Sequence, residues 1–298
     1  MVSLPTLAAG GIRATSAVSP ALGGALAYHA FFNAAPRMRV HPRDAATHEA
    51  ARTGSLLVRG AEVTTYEWGA GERAVLLLHG WRARASQFAP LVRDLVAEGV
   101  RVVAFDAPAH GESGGKSSDM RDWLDAAEQL QAIHGPFTMT VGHSLGALAA
   151  LTAARATVRP GAVVAIAGAA TPATFIDEFV RELGLTPATR AQLERRFRAR
   201  LQVGEADVFL RYDAAQHPLP DGVKLLVVHD RADRRMPDAD SLRLHRAHGT
   251  RSTLLRTEGF GHSRILFADA VLDAILTLLA ASAPDAPRRA AFEDVGAR

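Results

Sequence analysis

Short, continuous apolar runs recur along the chain: AVLLL at Ala74–Leu78, VRVVAF at Val100–Phe105, the run Phe137–Val141, AVVAIA at Ala162–Ala167 and VKLLVV at Val223–Val228, with Thr253–Leu255 and its flanks as the last. Apolarity without alternation, over strand length, predicts strands covered on both faces. Between them lie stretches with helical spacing, at Ser86–Val96, Asp119–Ile133, Ala147–Ala156 and Ile265–Leu279. Ahead of the first run, Ser55–Trp68 reads as an antiparallel hairpin turning at Arg59-Gly60. Strands alternating with helices predict an α/β fold, a mostly parallel, twisted sheet with helices on both faces.

Two stretches break the alternation. Thr171–Pro220 is too long for a simple crossover and carries helical patterns, one opened by Thr186-Pro187 as N-cap and first helical residue. It predicts a helical lid over the strand ends. Val18–Ala35 is largely apolar but interrupted by Pro20, Gly23, Gly24, His29 and Asn33. It is short for a membrane span and lacks the basic leader of a signal peptide. The expectation is an extra helix, with Leu26, Phe31 and Phe32 packed on the domain and Met1–Ser19 or more as an unstructured leader. The chain then divides into a leader and extra helix (1–54), a core (55–170 and 221–283), a lid (171–220) and a loose tail (284–298). Retention in the cytoplasm without stable membrane insertion follows; export, with cleavage near Ala34-Ala35, is the alternative.

Composition narrows the chemistry. The 298 residues are 48% hydrophobic, enough for one large core. Basic and acidic side chains number 34 and 31, a near balance that does not suggest nucleic acid as a partner. With no cysteine, disulfides, cysteine-held metal and a thiol nucleophile are all excluded. Nothing in the pattern calls for a cofactor or a metal, and the oligomeric state stays open.

The sharpest motif is Gly142-His143-Ser144-Leu145-Gly146, set between a strand pattern and a helix pattern. A G-x-S-x-G sequence in that context makes a tight turn that lifts the serine hydroxyl above the sheet, at a helix N-terminus. Ser144 is the candidate nucleophile.

Ligands of such sheets bind at the carboxyl ends of the strands. His79-Gly80-Trp81 follows AVLLL there, and the Trp81 amide pairs with that of Leu145 as a two-donor oxyanion hole. His79 reads as a buried structural histidine, and Asp106, on a turn-rich loop, as structural also. After VKLLVV come Asp230 and Asp233; a carboxylate here can hold a histidine and stabilise its charged form. Asp233, deeper in the loop before Pro237, is preferred, with Asp230 as the rival. After the last strand, Gly259-Phe260-Gly261-His262 offers the general base, while His245 and His248 fall in a helix pattern and read as solvent-facing. The order Ser144, Asp233, His262 is nucleophile, acid, base. Trp81, His143, Phe175 and Phe179 are the candidates for a substrate pocket.

With HGW at 79–81, DAPAHGES at 106–113, GHSLG at 142–146, HDRADRRMP at 229–237 and GFGH at 259–262, the chain resembles the α/β-hydrolase superfamily, and more narrowly bacterial serine esterase- and lipase-like members of mostly unassigned substrate. The resemblance spans about Ser55–Leu279, departs at Asp230, where many members carry glycine, and leaves out the first fifty residues. It implies a Ser-Asp-His triad, no cofactor and ester-type hydrolysis.

The resulting expectation is a serine hydrolase, a carboxylesterase acting on small or medium acyl esters as small-molecule substrates. Thioesterase, acyltransferase, amidase and C–C hydrolase chemistry share the same acyl-enzyme logic and are the alternatives. A non-catalytic binding protein on this fold is a further rival, against which all three triad positions are filled. Arg190, Arg195, Arg196, Arg198 and Arg200 raise polyanion binding, but a solvated lid face explains them more simply.

Overall fold

The computed structural model describes residues 6–201 and 207–282. Helices α1 (Thr6–Val18), α2 (Pro20–Phe31) and α3 (Ala45–Glu49) precede the hairpin β1 (Arg52–Val58) and β2 (Ala61–Trp68). Then come β3 (Ala74–Leu78), α4 (Ala89–Ala97), β4 (Arg101–Phe105), α5 (Met120–His134), β5 (Met139–His143), α6 (Leu145–Ala156) and β6 (Ala162–Ile166). Helices α7 (Pro172–Leu183), α8 (Pro187–Leu201) and α9 (Val208–Arg211) fill the long insertion. The chain closes with β7 (Lys224–Asp230), α10 (Ala239–His248), β8 (Ser252–Thr257), α11 (Gly261–Arg264) and α12 (Asp269–Ala281).

The strands form one sheet in the order β1-β2-β4-β3-β5-β6-β7-β8. Among the described residues, only the β1–β2 and β2–β4 pairs run antiparallel. β3, β5 and β6 are buried at every position, as their unbroken apolar runs predict. Alternate residues serve opposite layers. Leu76, Leu78, Val163 and Ala165 join a core with α5 and α6, through Trp123, Leu130 and Leu148. Val75, Leu77, Val164 and Ile166 join the other, with Leu91 and Leu95 of α4 and Ile275 and Leu279 of α12.

Local signals explain several boundaries. Asp119 and Asp122 form a capping box that starts α5. Thr186 Oγ1 accepts the Thr189 amide at the start of α8, the N-cap read from Thr186-Pro187. Other boundaries depart from the pattern. The expected helix Ile265–Leu279 is divided: a 3-10 turn at Ile265–Phe267 ends at Ala268, in extended backbone, before α12. β7 runs on through Asp230, which pairs with Thr257, because the neighbouring strand supplies ladder partners to that point.

The N-terminal segment ahead of the hairpin holds three helices, α1 to α3, rather than one. Thr6–Val18 is helical instead of an unstructured leader, and Ser19 caps α2 by accepting the Leu22 amide. Phe32 is buried and Phe31 half-buried, but Leu26 faces solvent, 45% exposed, because Gly24 and Phe31, which meet α8, lie on the other side of α2. His248 is also corrected: it is buried, Nδ1–H donating to Leu244 O while Nε2 accepts the Leu219 amide. The tail 284–298 lies outside the described residues, as does the part of the insertion at 202–206. Among the described residues, no helix is long and apolar enough to cross a membrane.

Candidate active site

β5 ends at His143 and α6 begins at Leu145, leaving Ser144 alone to make the turn. It does so at φ 54° and ψ −118°, a conformation costly for a residue with a Cβ, by roughly 1–3 kcal/mol. The surroundings hold it there. The Ser144 amide donates to Ile166 O at 2.9 Å. A Cβ on Gly146 would overlap the Leu78 carbonyl, and one on Gly142 would overlap Gly146, so α6 can cross the strand ends this closely only with glycine at both positions.

Ser144 Oγ lies 3.1 Å from His262 Nε2. On the far side of the ring, His262 Nδ1 lies 2.7 Å from Asp233 Oδ2. Nδ1–H therefore donates to the carboxylate, and Nε2 accepts from the hydroxyl. Burial pulls the imidazole below its ordinary value of 6.5, against the hydrogen bond and charge of Asp233. At neutral pH the ring is uncharged and its Nε2 lone pair faces the serine. Burial pushes the Asp233 carboxyl up, but His262 and the amides of Arg235 and Met236 outweigh it and bring the group below its ordinary value.

The rival carboxylate points elsewhere. Asp230 Oδ2 accepts from Thr257 Oγ1 at 2.7 Å and from the Phe260 amide at 3.0 Å. It ties the end of β7 to the loop that carries His262. The other aspartate and histidine set aside in the sequence are structural. Asp106 accepts from Ala85 N, Tyr66 Oη and Glu112 N and pairs with Arg84. His79, held neutral by burial, donates from Nδ1 to Gly80 O and accepts the Ala107 amide at Nε2.

Gly80 sits directly against Ser144: a Cβ there would lie 3.1 Å from Ser144 Cβ. Trp81 follows Gly80, and Leu145 opens α6, where a first-turn amide has no partner within the helix. Both expected amide donors thus belong to segments that border Ser144.

A cavity of about 310 Å³ opens on Ser144 and His262. Its apolar lining includes Trp81, Leu145, Leu148, Phe175 and Met236. Asp119, Glu178, Arg181, Glu182, Arg234 and Arg235 add charge. Of the four residues expected to form a substrate pocket, Trp81 and Phe175 line this cavity. Phe179 and His143 do not line the cavity. The Phe179 ring, one helical turn beyond Phe175, is buried against Phe31 at 5.1 Å, edge to face. His143 is buried beneath the turn because successive strand residues face opposite ways. The sequence reading missed Phe31 and Phe32, which line the cavity from the N-terminal segment. Their signal was an apolar pair in a segment expected to pack on the domain.

The arginines of α8 are not uniformly solvated. Arg190 pairs with Asp177 and Glu194, and Arg198 with Glu194 and Asp207. Arg200 reaches out of the insertion and pairs with Asp119 at 3.0 Å. Among the described residues, no group of three or more histidines and acidic side chains is arranged to hold a metal ion.

The sequence model of the alpha/beta hydrolase family matches residues 75–294. A non-heme haloperoxidase of Rhodococcus erythropolis is 33% identical over 90 residues, which are 29% of this chain and 32% of that protein. An esterase of Pyrococcus furiosus superposes with a TM-score of 0.61 at 19% identity, over 83% of this chain and 95% of the other. A monoacylglycerol lipase of Paleococcus ferrophilus does so with 0.56 at 21% identity, over 74% and 99%. At these identities the structural likeness is one of fold.

Proposed function

The chain belongs to the alpha/beta hydrolase family, and on that premise we propose that it is a serine hydrolase, a carboxylesterase that cleaves small or medium acyl esters without a cofactor. The observation that carries the reading is the unbroken relay from Ser144 Oγ through His262 to Asp233, with contacts of 3.1 Å and 2.7 Å.

His262 Nε2 takes the hydroxyl proton as Ser144 Oγ attacks the acyl carbon. Asp233 stabilises the imidazolium that forms. The amides of Trp81 and Leu145 hold the oxyanion, each donor contributing roughly 2.7–4 kcal/mol in the transition state. His262 then protonates the departing alcohol, leaving Ser144 acylated, and draws a proton from the water that releases the acid. The apolar side of the cavity suits an acyl chain, and an esterase and a lipase stand among the proteins of similar fold. The reading includes residence in the cytoplasm with α1 and α2 retained. Burial of Phe32 supports retention.

The test is hydrolysis of p-nitrophenyl esters of rising chain length by the purified protein and by Ser144→Ala. Turnover that saturates with acyl esters and vanishes in the variant supports the reading. A folded protein inert toward the whole panel opposes it.

A further inference from the structure

The family match begins at residue 75, yet the cavity over Ser144 is lined in part by residues far ahead of it. Phe31 ends α2 and Phe32 caps it. Both share the cavity with Ser144 and His262.

Their placement is built in several ways. Gly24 brings α2 so close to α8 that a Cβ there would overlap Gln192 Cβ. Such an approach lets the two backbones nearly touch and fixes the rotation of α2. At its end, Phe31 meets the rings of Phe179 and Phe197 edge to face, at 5.1 and 5.9 Å. Phe32 lies nearly parallel to Phe197 at 5.9 Å. The Arg200 guanidinium sits 4.5 Å over the Phe32 ring while its Nε holds Asp119, the residue that caps α5. One arginine thus ties the N-terminal segment, the insertion and the core together at the cavity. Just past α2, Arg82 Nε donates to Asn33 O at 2.9 Å, joining this segment to the loop that carries Trp81.

We propose that the α1–α2 hairpin is a wall of the acyl pocket, and that Phe31 and Phe32 set which acyl chains the enzyme accepts. The substrate class is an ester whose acyl part is an apolar chain, bound against the aromatic cluster of Phe31, Phe32, Phe175 and Phe197. Phe32 is almost fully enclosed and carries the cation–π contact, so it serves as the fixed part of the wall. Phe31 is half-buried and is the position where ring size changes pocket volume. This inference rests on the esterase reading, and the two can fail separately.

Phe31→Ala and Phe31→Leu are made in the full chain and assayed with p-nitrophenyl esters from acetate to dodecanoate. Fluorophosphonate labelling of Ser144 and far-ultraviolet dichroism serve as controls. Each methylene newly accommodated raises kcat/KM by about fourfold. Phe31→Ala is therefore expected to move the optimum to longer chains. Phe31→Leu, which keeps an apolar contact with Phe179, shifts it less in the same direction. Calorimetric binding of hexanoic to dodecanoic acids reads the same pocket without chemistry. If no ester is cleaved but the acid-binding profile still shifts in the variants, the wall stands and the esterase reading falls. If esters are cleaved and both profiles are unchanged in both folded variants, the wall is refuted and the hairpin is only scaffold.

Discussion

His143 Nε2–H donates to the backbone carbonyl of His262 at 2.8 Å, and the two rings lie 4.9 Å apart. The bond links the turn at Ser144 to the loop that carries His262, two segments 119 residues apart in sequence. Burial first, and then neighbouring His262, push the His143 imidazole down to about 3. It stays neutral over the working range, so its contribution is positional. The strained turn at Ser144 is thereby registered against the His262 ring.

His143→Leu removes the donor, and kcat is expected to fall roughly 10- to 100-fold, since misplacement of reacting groups by about 1 Å costs up to that much. His143→Gln, which can keep an N–H toward the carbonyl, should recover part of the loss. Equal losses in the two variants would show that filling the space, not the hydrogen bond, is what matters.

Exchange of each aspartate separates its contribution. Asp233→Asn takes away the charge facing His262 Nδ1 and is expected to lower kcat by about 10⁴-fold with little change in fold. Asp230→Asn disturbs the anchor to Thr257 and Phe260 and should lower the melting temperature, with a much smaller loss of kcat. Steady-state kinetics and thermal melts on both variants check this; the opposite ranking would transfer the acid to Asp230.

The pH profile follows from the sign of the His262 shift. The proposed mechanism needs the neutral ring, so activity is expected above its pKa and lost as pH falls through it. Because burial lowers that pKa, the acid limb of kcat/KM should lie below 6.5. An acid limb centred above 6.5 in the wild type would mean that the Asp233 charge outweighs burial.

Phe175 and Phe179 are one turn apart on α7 and predict different phenotypes. Phe175 lines the cavity, so Phe175→Ala should change chain-length preference more than stability. Phe179 is buried against Phe31, and Phe179→Ala should cost about 3–5 kcal/mol of stability, read by denaturant unfolding. Equal stability losses would argue that Phe175 too is a core residue.

The sheet and its order of elements were legible because strands buried on both faces cannot hide their apolar runs. AVLLL and AVVAIA predicted β3 and β6 almost residue for residue. Ser144 and His262 were legible because each stands beside a glycine-marked turn at the end of a strand. The side on which a residue of the insertion faces was not. Phe175 and Phe179 share one amphipathic stripe, and only the arrival of Phe31 decides which of them is covered. The same holds for Arg200, whose partner Asp119 is 81 residues away and carries no local signature. His248 looked solvent-facing in its helix pattern, but a loop amide and a carbonyl in its own helix enclose it.

The central claim is that Ser144 is the nucleophile of an acyl-transfer relay. Reaction of the native protein with a fluorophosphonate, followed by peptide mapping, tests it most directly. One stoichiometric adduct on Ser144, formed at a rate that falls sharply in Asp233→Asn, is the predicted result. An adduct on another residue, or ester hydrolysis that persists in Ser144→Ala, would contradict it.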